Sequence, residues 1–163
     1  PISVNISREY IHTFDVVGEM LHLVNKYDIP IKLLELEITE TTDSEGVSDV
    51  VQKMKDAGFT MLMDDFGSGY SSLNMLQKTQ FDVLKIDRGF LSEFMESSRG
   101  RKIISHTISM SRDIGLDIIA EGVETPEQAS FLSDCGCDSA QGFYYSKPIT
   151  QEEFDKMLVE VNK

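Results

Sequence analysis

Polar and charged residues recur at the ends of six short apolar runs, and together they form one chemical set. Asn5 closes Ile2-Ser3-Val4, Glu37 with Glu40 closes Leu33-Leu34-Glu35-Leu36, and Asp64-Asp65 closes Phe59-Thr60-Met61-Leu62-Met63. Lys85 and Asp87 follow Phe81-Asp82-Val83-Leu84, and Glu121 and Glu124 follow Leu116-Asp117-Ile118-Ile119-Ala120. Gln141 ends the last run before Gly142-Phe143-Tyr144-Tyr145. Carboxylates, amides and one lysine delivered to a common edge are what a divalent-metal phosphate site needs. Oxygen and nitrogen donors without thiolate suit hard Mg²⁺ or Mn²⁺ rather than zinc.

Asp64-Asp65-Phe66-Gly67-Ser68-Gly69-Tyr70-Ser71-Ser72 is the most specific stretch. Adjacent carboxylates repel, so both stay ionised at neutral pH only with a cation between or beside them. Side chains alternate along a strand, but at a frayed end the following glycine lets the chain turn and bring both to one side. Each candidate also has an ordinary structural explanation. Asp64-Asp65 could be an acidic strand end leading to a helix capped by Ser71. Glu37 and Glu40 could be exposed strand-end glutamates. Lys85 and Asp87, two apart on one face, could pair with neighbours, and Asn5 could satisfy a strand end. Gly122, between Glu121 and Glu124, permits close backbone approach. The ordinary explanations fail jointly once all six ends lie on one rim.

These residues need elements to position them, and the apolar spacing supplies the elements. Ile11, Phe14, Val17, Leu21 and Val24 recur at helical spacing, and Pro30 precedes the second strand. Val47, Val50, Val51 and Met54 predict a helix closed by Gly58. A shorter helix after Ser71-Ser72 carries Leu73 and Leu76 inward, and Ile103, Ile104, Thr107, Ile108 and Ile114 predict another, ended by Gly115. Thr125-Pro126-Glu127-Gln128 is a helix start with Thr at the cap, and that helix stops at Gly136. Thr150-Gln151-Glu152-Glu153 is a second capping box, leading Phe154, Met157, Leu158 and Val161 into a C-terminal helix. The order is βα repeated six times.

Repeated βα units imply parallel strands covered by helices. An open doubly wound sheet would gather ligand groups on two or three strands at its switch point. Polar groups at all six ends suit an α/β fold of the (β/α)₈ TIM-barrel type, whose C-terminal rim is the active face. Eight such units take roughly 250 residues, so the 163 residues here hold about six of the eight. The chain begins at Pro1 and enters a strand at once, which reads as a piece of something longer.

Composition narrows the partners. The net charge of -13 argues against a protein that grips a nucleic-acid polymer through a basic face, and a phosphate ligand would need cations between it and so many carboxylates. No apolar stretch approaches the roughly 18–20 residues of a membrane span, and no basic-then-apolar leader opens the chain. Cys135 and Cys137 form a lone C-x-C without a second pair, which suits reduced cytosolic thiols. A cytoplasmic location is expected, and any tether to the inner face of the membrane would come from upstream segments.

The motifs carry a family resemblance. Val4-Asn5-Ile6-Ser7, Leu36-Glu37-Ile38-Thr39-Glu40, Asp64 through Leu73, Lys85-Ile86-Asp87-Arg88-Gly89-Phe90, Ala120-Glu121-Gly122-Val123-Glu124-Thr125, and Gln141-Gly142-Phe143-Tyr144 with Lys147-Pro148 keep one order and spacing. With them the chain resembles the C-terminal two-thirds of an EAL domain. The name-giving Glu-Ala-Leu segment and the first two strands would precede Pro1, making residues 1–163 a partial domain.

The resemblance implies metal-dependent hydrolysis of cyclic di-GMP to linear pGpG by the intact domain, with two Mg²⁺ or Mn²⁺ ions. It places Asn5, Glu37 and Asp64 on the first metal, and Asp64, Asp65, Asp87 and Glu121 on the second. Lys85 would orient the attacking hydroxide, with Glu121 as the alternative general base. Glu40 would pin the 66–70 loop from behind, and Glu124 and Gln141 would lie on the substrate side. The family also suggests a homodimer through the region from Phe66 to Leu76, and sensor or GGDEF-type domains elsewhere in the full-length protein. A receptor that binds cyclic di-GMP without turnover and a regulatory interaction module are the alternatives. The fragment alone is expected to be inactive.

Overall fold

A computed structural model describes residues 1–13, 15–39, 46–69 and 72–161. Six strands form one parallel sheet: β1 (Ile2–Asn5), β2 (Leu34–Thr39), β3 (Thr60–Phe66), β4 (Val83–Ile86), β5 (Asp117–Ala120) and β6 (Ser139–Ala140). Their order in the sheet is their order in the chain. A doubly wound sheet reverses direction at its switch point; this one never does, so the strands progress around a barrel axis. The six strands make a curled half-barrel with helices outside.

The two faces of the sheet are distinguishable from register and alternation. Glu37 lies opposite Leu62, Leu62 opposite Val83, and Lys85 opposite Ile119, so these side chains share the face turned to the barrel axis. The intervening residues Leu36, Ile38, Met61, Met63, Leu84, Ile86 and Ile118 form the other face, and all have no solvent exposure. Helices cover that second face. Val47, Val51 and Met54 of α3 (Val47–Asp56) pack there beside Leu36, Ile38 and Met61. Ile104 and Ile108 of α6 (Ser98–Asp113) pack with Ile86 and Ile118. Removing one such side chain, as in Ile108→Ala, costs about 2–5 kcal/mol.

Several local expectations hold. Ala57 and Gly58, with φ of +98° at the glycine, close α3. Thr125 caps α7 (Pro126–Asp134) in a reciprocal box with Gln128. Thr150 and Glu153 exchange hydrogen bonds at the start of α8 (Gln151–Val161), where Glu153 accepts from Thr150 N at 2.8 Å. Cys135 and Cys137 are free, and burial pushes the Cys137 thiol up to about 11, so it stays protonated.

Other expectations are corrected. The first crossover holds two helices, α1 (Arg8–Thr13) and α2 (Val16–Lys26), with Asp15 accepting from Gly18 N to start the second; Phe14 lies outside the described residues. Helix α4 (Ser72–Lys78) leaves Leu73 62% exposed, so only Leu76 of the two leucines packs on the core. An additional helix, α5 (Arg88–Met95), follows β4 directly and turns into α6. Ile103 and Ile114 are exposed, because α6 buries a narrower stripe than its isoleucines suggest. On α8, Phe154, Met157 and Leu158 remain 40–49% exposed.

Candidate active site

The C-terminal ends of the strands gather the predicted carboxylates around one lysine. Lys85 rises from β4 on the axis-facing side and is buried. Its Nζ lies 2.8 Å from Glu37 Oε1, 2.9 Å from Asp64 Oδ1 and 2.7 Å from Glu121 Oε1. Glu37 and Asp64 are likewise buried, each on the strand that delivers it. Burial alone would lower the Lys85 pKa, but its contacts with Glu121, Glu37 and Asp64 outweigh that and raise it. The ammonium is therefore a permanent charge facing three carboxylates.

Asp64 and Asp65 reach the site through a β-bulge rather than a frayed strand end. Met63 pairs with Leu84 and Phe66 with Ile86, so two aspartates stand opposite the single residue Lys85. Asp65 takes up the extra residue at φ +58°, a left-handed conformation that aspartate adopts more readily than most residues. Its backbone N donates to Asp64 Oδ1 at 3.0 Å. Burial raises the Asp65 pKa, and Asp64 and Asp87 add to the shift. Gly67, at φ +98°, follows the bulge, where a side chain would overlap the Phe90 ring.

Glu121 follows β5. Its Oε1 also accepts from Gln141 Nε2 at 2.6 Å, so the amide and the lysine hold the same oxygen. Burial, with Asp64 and Glu37 nearby, raises the Glu121 pKa against the lowering effect of Lys85. Oxygens of Asp64, Asp65 and Glu121 lie within 4.8 Å of one another, an all-oxygen set able to hold a hard cation.

The remaining candidates take varied positions. Asn5 lies opposite Glu37 in register but is exposed. Asp87 is the N-cap of α5, its Oδ1 accepting from Gly89 N at 2.8 Å and Phe90 N at 3.1 Å, and it falls outside the acidic trio. Glu124 pairs with Arg88 at 2.7 Å, beside a cavity of about 500 Å³ lined in part by Glu121, Gln141, Phe143 and Lys147. Glu40 lies outside the described residues. Sequence reasoning missed two partners. The Gln141–Glu121 bond is invisible in spacing alone, and Arg88 stood within a quoted motif without a role.

One observation tests whether a cation fits. Glu37, Asp64 and Glu121 share the single Lys85 ammonium at 2.7–2.9 Å, so the cluster carries more negative than positive charge. That excess charge, with the converging oxygens of Asp64, Asp65 and Glu121, fits a divalent cation.

Parallel strands in chain order, with carboxylates and a lysine on the C-terminal rim, define a TIM-barrel-type site for metal-dependent chemistry on phosphate. The family model of the EAL domain matches residues 1–148, and the chain belongs to that family. MucR of Pseudomonas aeruginosa, named as a bifunctional diguanylate cyclase/cyclic di-GMP phosphodiesterase, is 35% identical over 93% of this chain and 23% of its own length. The solved c-di-GMP complex of the PaMucR phosphodiesterase is 35% identical, with a TM-score of 0.86 over 94% of this chain and 63% of that one. The EAL domain of Mycobacterium smegmatis DcpA is 32% identical, with a TM-score of 0.91 over 97% and 72%. The chain spans about a fifth to a quarter of the length of the curated relatives it matches.

Proposed function

We propose that the intact domain hydrolyses one phosphodiester bond of cyclic di-GMP to give linear pGpG, with two Mg²⁺ or Mn²⁺ ions. The observation that carries this reading is the convergence of Asp64, Asp65 and Glu121 oxygens at the rim, with Glu37 beside them on the shared Lys85 ammonium. Family membership supplies the substrate class. Asn5, Glu37 and Asp64 would hold one ion; Asp64, Asp65, Glu121 and, directly or through water, Asp87 would hold the other. When bound, such ions neutralise phosphate charge and activate water for in-line attack.

The chain's own groups do the rest. Lys85 Nζ, fixed by its carboxylate neighbours, donates to the attacking water and orients it. Glu121 is the alternative general base for that water. Glu124 and Gln141 stand on the substrate side, by the cavity carrying Lys147 and Phe143; the proposal gives Glu40, outside the described residues, a supporting role behind the loop that follows Asp65. Two further βα units, carrying the Glu-Ala-Leu segment, complete the ring. The solved neighbours, of which this chain covers 63% and 72%, leave room for them. Self-association through residues 66–76 is the proposed dimer contact, supported by exposed Leu73. Sensor or GGDEF-type domains are proposed elsewhere in the chain. No described helix is long and apolar enough to cross a membrane; a cytoplasmic site of action, with any tether supplied upstream, is part of the proposal.

The test is to incubate the full-length protein with cyclic di-GMP and Mg²⁺ or Mn²⁺ and to follow pGpG by chromatography. Metal-dependent pGpG formation supports the reading. Tight binding without product would move the protein to the receptor class.

A further inference from the structure

We infer that Arg88 is a positioning residue for the Glu121 carboxylate, acting through the 121–124 turn. The inference rests on the phosphodiesterase reading for its account of Glu121, and it is carried by two contacts. First, Gly122 sits at φ +67°, and a Cβ there would overlap the Cβ, Cγ and Cδ of Arg88. The aliphatic stem of Arg88 therefore lies directly against the turn's backbone. Second, Arg88 Nη2 lies 2.7 Å from Glu124 Oε1, so one side chain touches both the middle and the end of the turn.

The base of Arg88 is itself fixed. It is the first residue of α5, directly after the Asp87 cap. Two residues further, Phe90 stacks on Phe94 with ring centroids 4.4 Å apart and meets Phe66 edge-on at 6.1 Å. Phe90 also packs against Gly67, on the loop after Asp64 and Asp65. The first turn of α5 thus spans the gap between the two loops that carry the acidic trio.

The turn needs such a brace because its backbone ties leave Gly122 between them. Glu121 N donates to Ile86 O at 3.0 Å and Val123 N to Gln141 O at 3.0 Å. Oε1 of Glu121 is committed to Lys85 and Gln141. The orientation of the turn then decides where the second carboxylate oxygen points. An exposed pair such as Arg88–Glu124 contributes little to stability, roughly 0–1 kcal/mol. Its consequence is geometric, which makes it separable from folding.

The experiment compares Arg88→Met, Arg88→Lys and wild type in the full-length protein, by steady-state hydrolysis of cyclic di-GMP and by calorimetric titration with Mn²⁺ alone. Groups that orient metal-binding side chains typically change activity or metal affinity about 10–100-fold when lost. For Arg88→Met we expect kcat to fall about tenfold and Mn²⁺ affinity to weaken similarly, with KM within about twofold and the melting temperature nearly unchanged. Arg88→Lys, which keeps a stem and one donor for a single-oxygen contact, should recover most of the loss. A raised KM at constant kcat would make Arg88 a substrate contact and overturn the inference. A lowered melting temperature with kcat and Mn²⁺ affinity intact would make it merely structural, with the same result. If the wild type makes no pGpG, the phosphodiesterase reading fails, and the Mn²⁺ titration still decides the role of Arg88. Equal Mn²⁺ affinities in Arg88→Met and wild type, or no binding by either, would overturn it.

Discussion

Asp82 and Asp138 stand just before β4 and β6, at the N-terminal rim, while Asp64 and Glu121 stand at the C-terminal rim of the same sheet. The four differ in what satisfies them. Asp82 Oδ2 accepts from Met61 N at 2.9 Å and its Oδ1 pairs with Lys55 at 2.7 Å. Asp138 Oδ2 accepts from Ile118 N at 2.9 Å. Each of these aspartates binds a backbone N–H of the neighbouring strand. At the other rim, Glu37, Asp64 and Glu121 crowd one ammonium. Like charges about 4 Å apart repel by about 4 kcal/mol at an effective dielectric of 20, so a single lysine does not neutralise three carboxylates. A strand-end carboxylate is thus no sign of function by itself. The excess of negative charge at the C-terminal rim is what distinguishes a binding centre from a structural cap.

The largest expected effect would separate the rims outright. In the full-length protein Asp64→Asn should lower hydrolysis on the order of 10³-fold or more, beyond the roughly 2.7–4 kcal/mol typical of one lost oxyanion donor. More than a tenth of wild-type turnover at saturating Mg²⁺ would contradict the assignment of Asp64 to both ions.

Lys85→Met removes the only counter-charge, among the described residues, paired with the three carboxylates. Breaking a buried charge cluster in this way should cost about 3–5 kcal/mol in metal-free protein, as read by urea unfolding in EDTA. Mn²⁺ should offset part of that loss. The same variant should lower kcat strongly while leaving cyclic di-GMP affinity, measured in Ca²⁺, within about a few-fold. A large affinity loss would move Lys85 to phosphate binding.

Asp82→Ala probes the other rim. Leaving Met61 N without its acceptor should cost about 1–3 kcal/mol of stability, with kcat and Mn²⁺ binding unchanged. Loss of activity in a fully folded Asp82→Ala protein would erase the distinction between the rims.

The smallest effect is in pH dependence. The raised pKa values of Asp65 and Glu121 mean that the folded protein holds those protons more tightly than the unfolded chain. The resulting stabilisation is full below the ordinary carboxylate values of 3.8 and 4.5 and is lost as pH rises through the raised ones. Metal-free protein should therefore lose stability from these groups as pH rises from about 4. Mn²⁺, which favours the ionised carboxylates, should flatten or reverse the trend. A urea midpoint series at several pH values, with and without Mn²⁺, measures it.

Much of this was legible in the sequence for identifiable reasons. Strand ends in a βα repeat share a rim, so Glu37, Asp64, Lys85 and Glu121 could be placed together before any coordinates. The capping boxes at Thr125 and Thr150 are local chemistry and appear where the residues put them. What was hidden depends on register and tertiary contact. The bulge that turns Asp64 and Asp65 to one side is a relation between β3 and β4. Helix α5 was overlooked because its cap, Asp87, was read as a site residue. Leu73 and the apolar residues of α8 have the spacing of buried positions yet are exposed, since periodicity marks a face without saying what covers it. Asp82 and Glu121 both flank apolar runs; the side of the strand sets the rim, and hydrogen-bond partners show which carboxylate is a structural cap.

The central claim is that the C-terminal rim is a divalent-metal centre. Calorimetric titration of the full-length wild type, Asp64→Asn and Asp82→Ala with Mn²⁺ tests it most directly. The account predicts two ions per chain in the wild type and in Asp82→Ala, and a loss of binding in Asp64→Asn. Unchanged Mn²⁺ binding by Asp64→Asn, or no binding by the wild type, would contradict it.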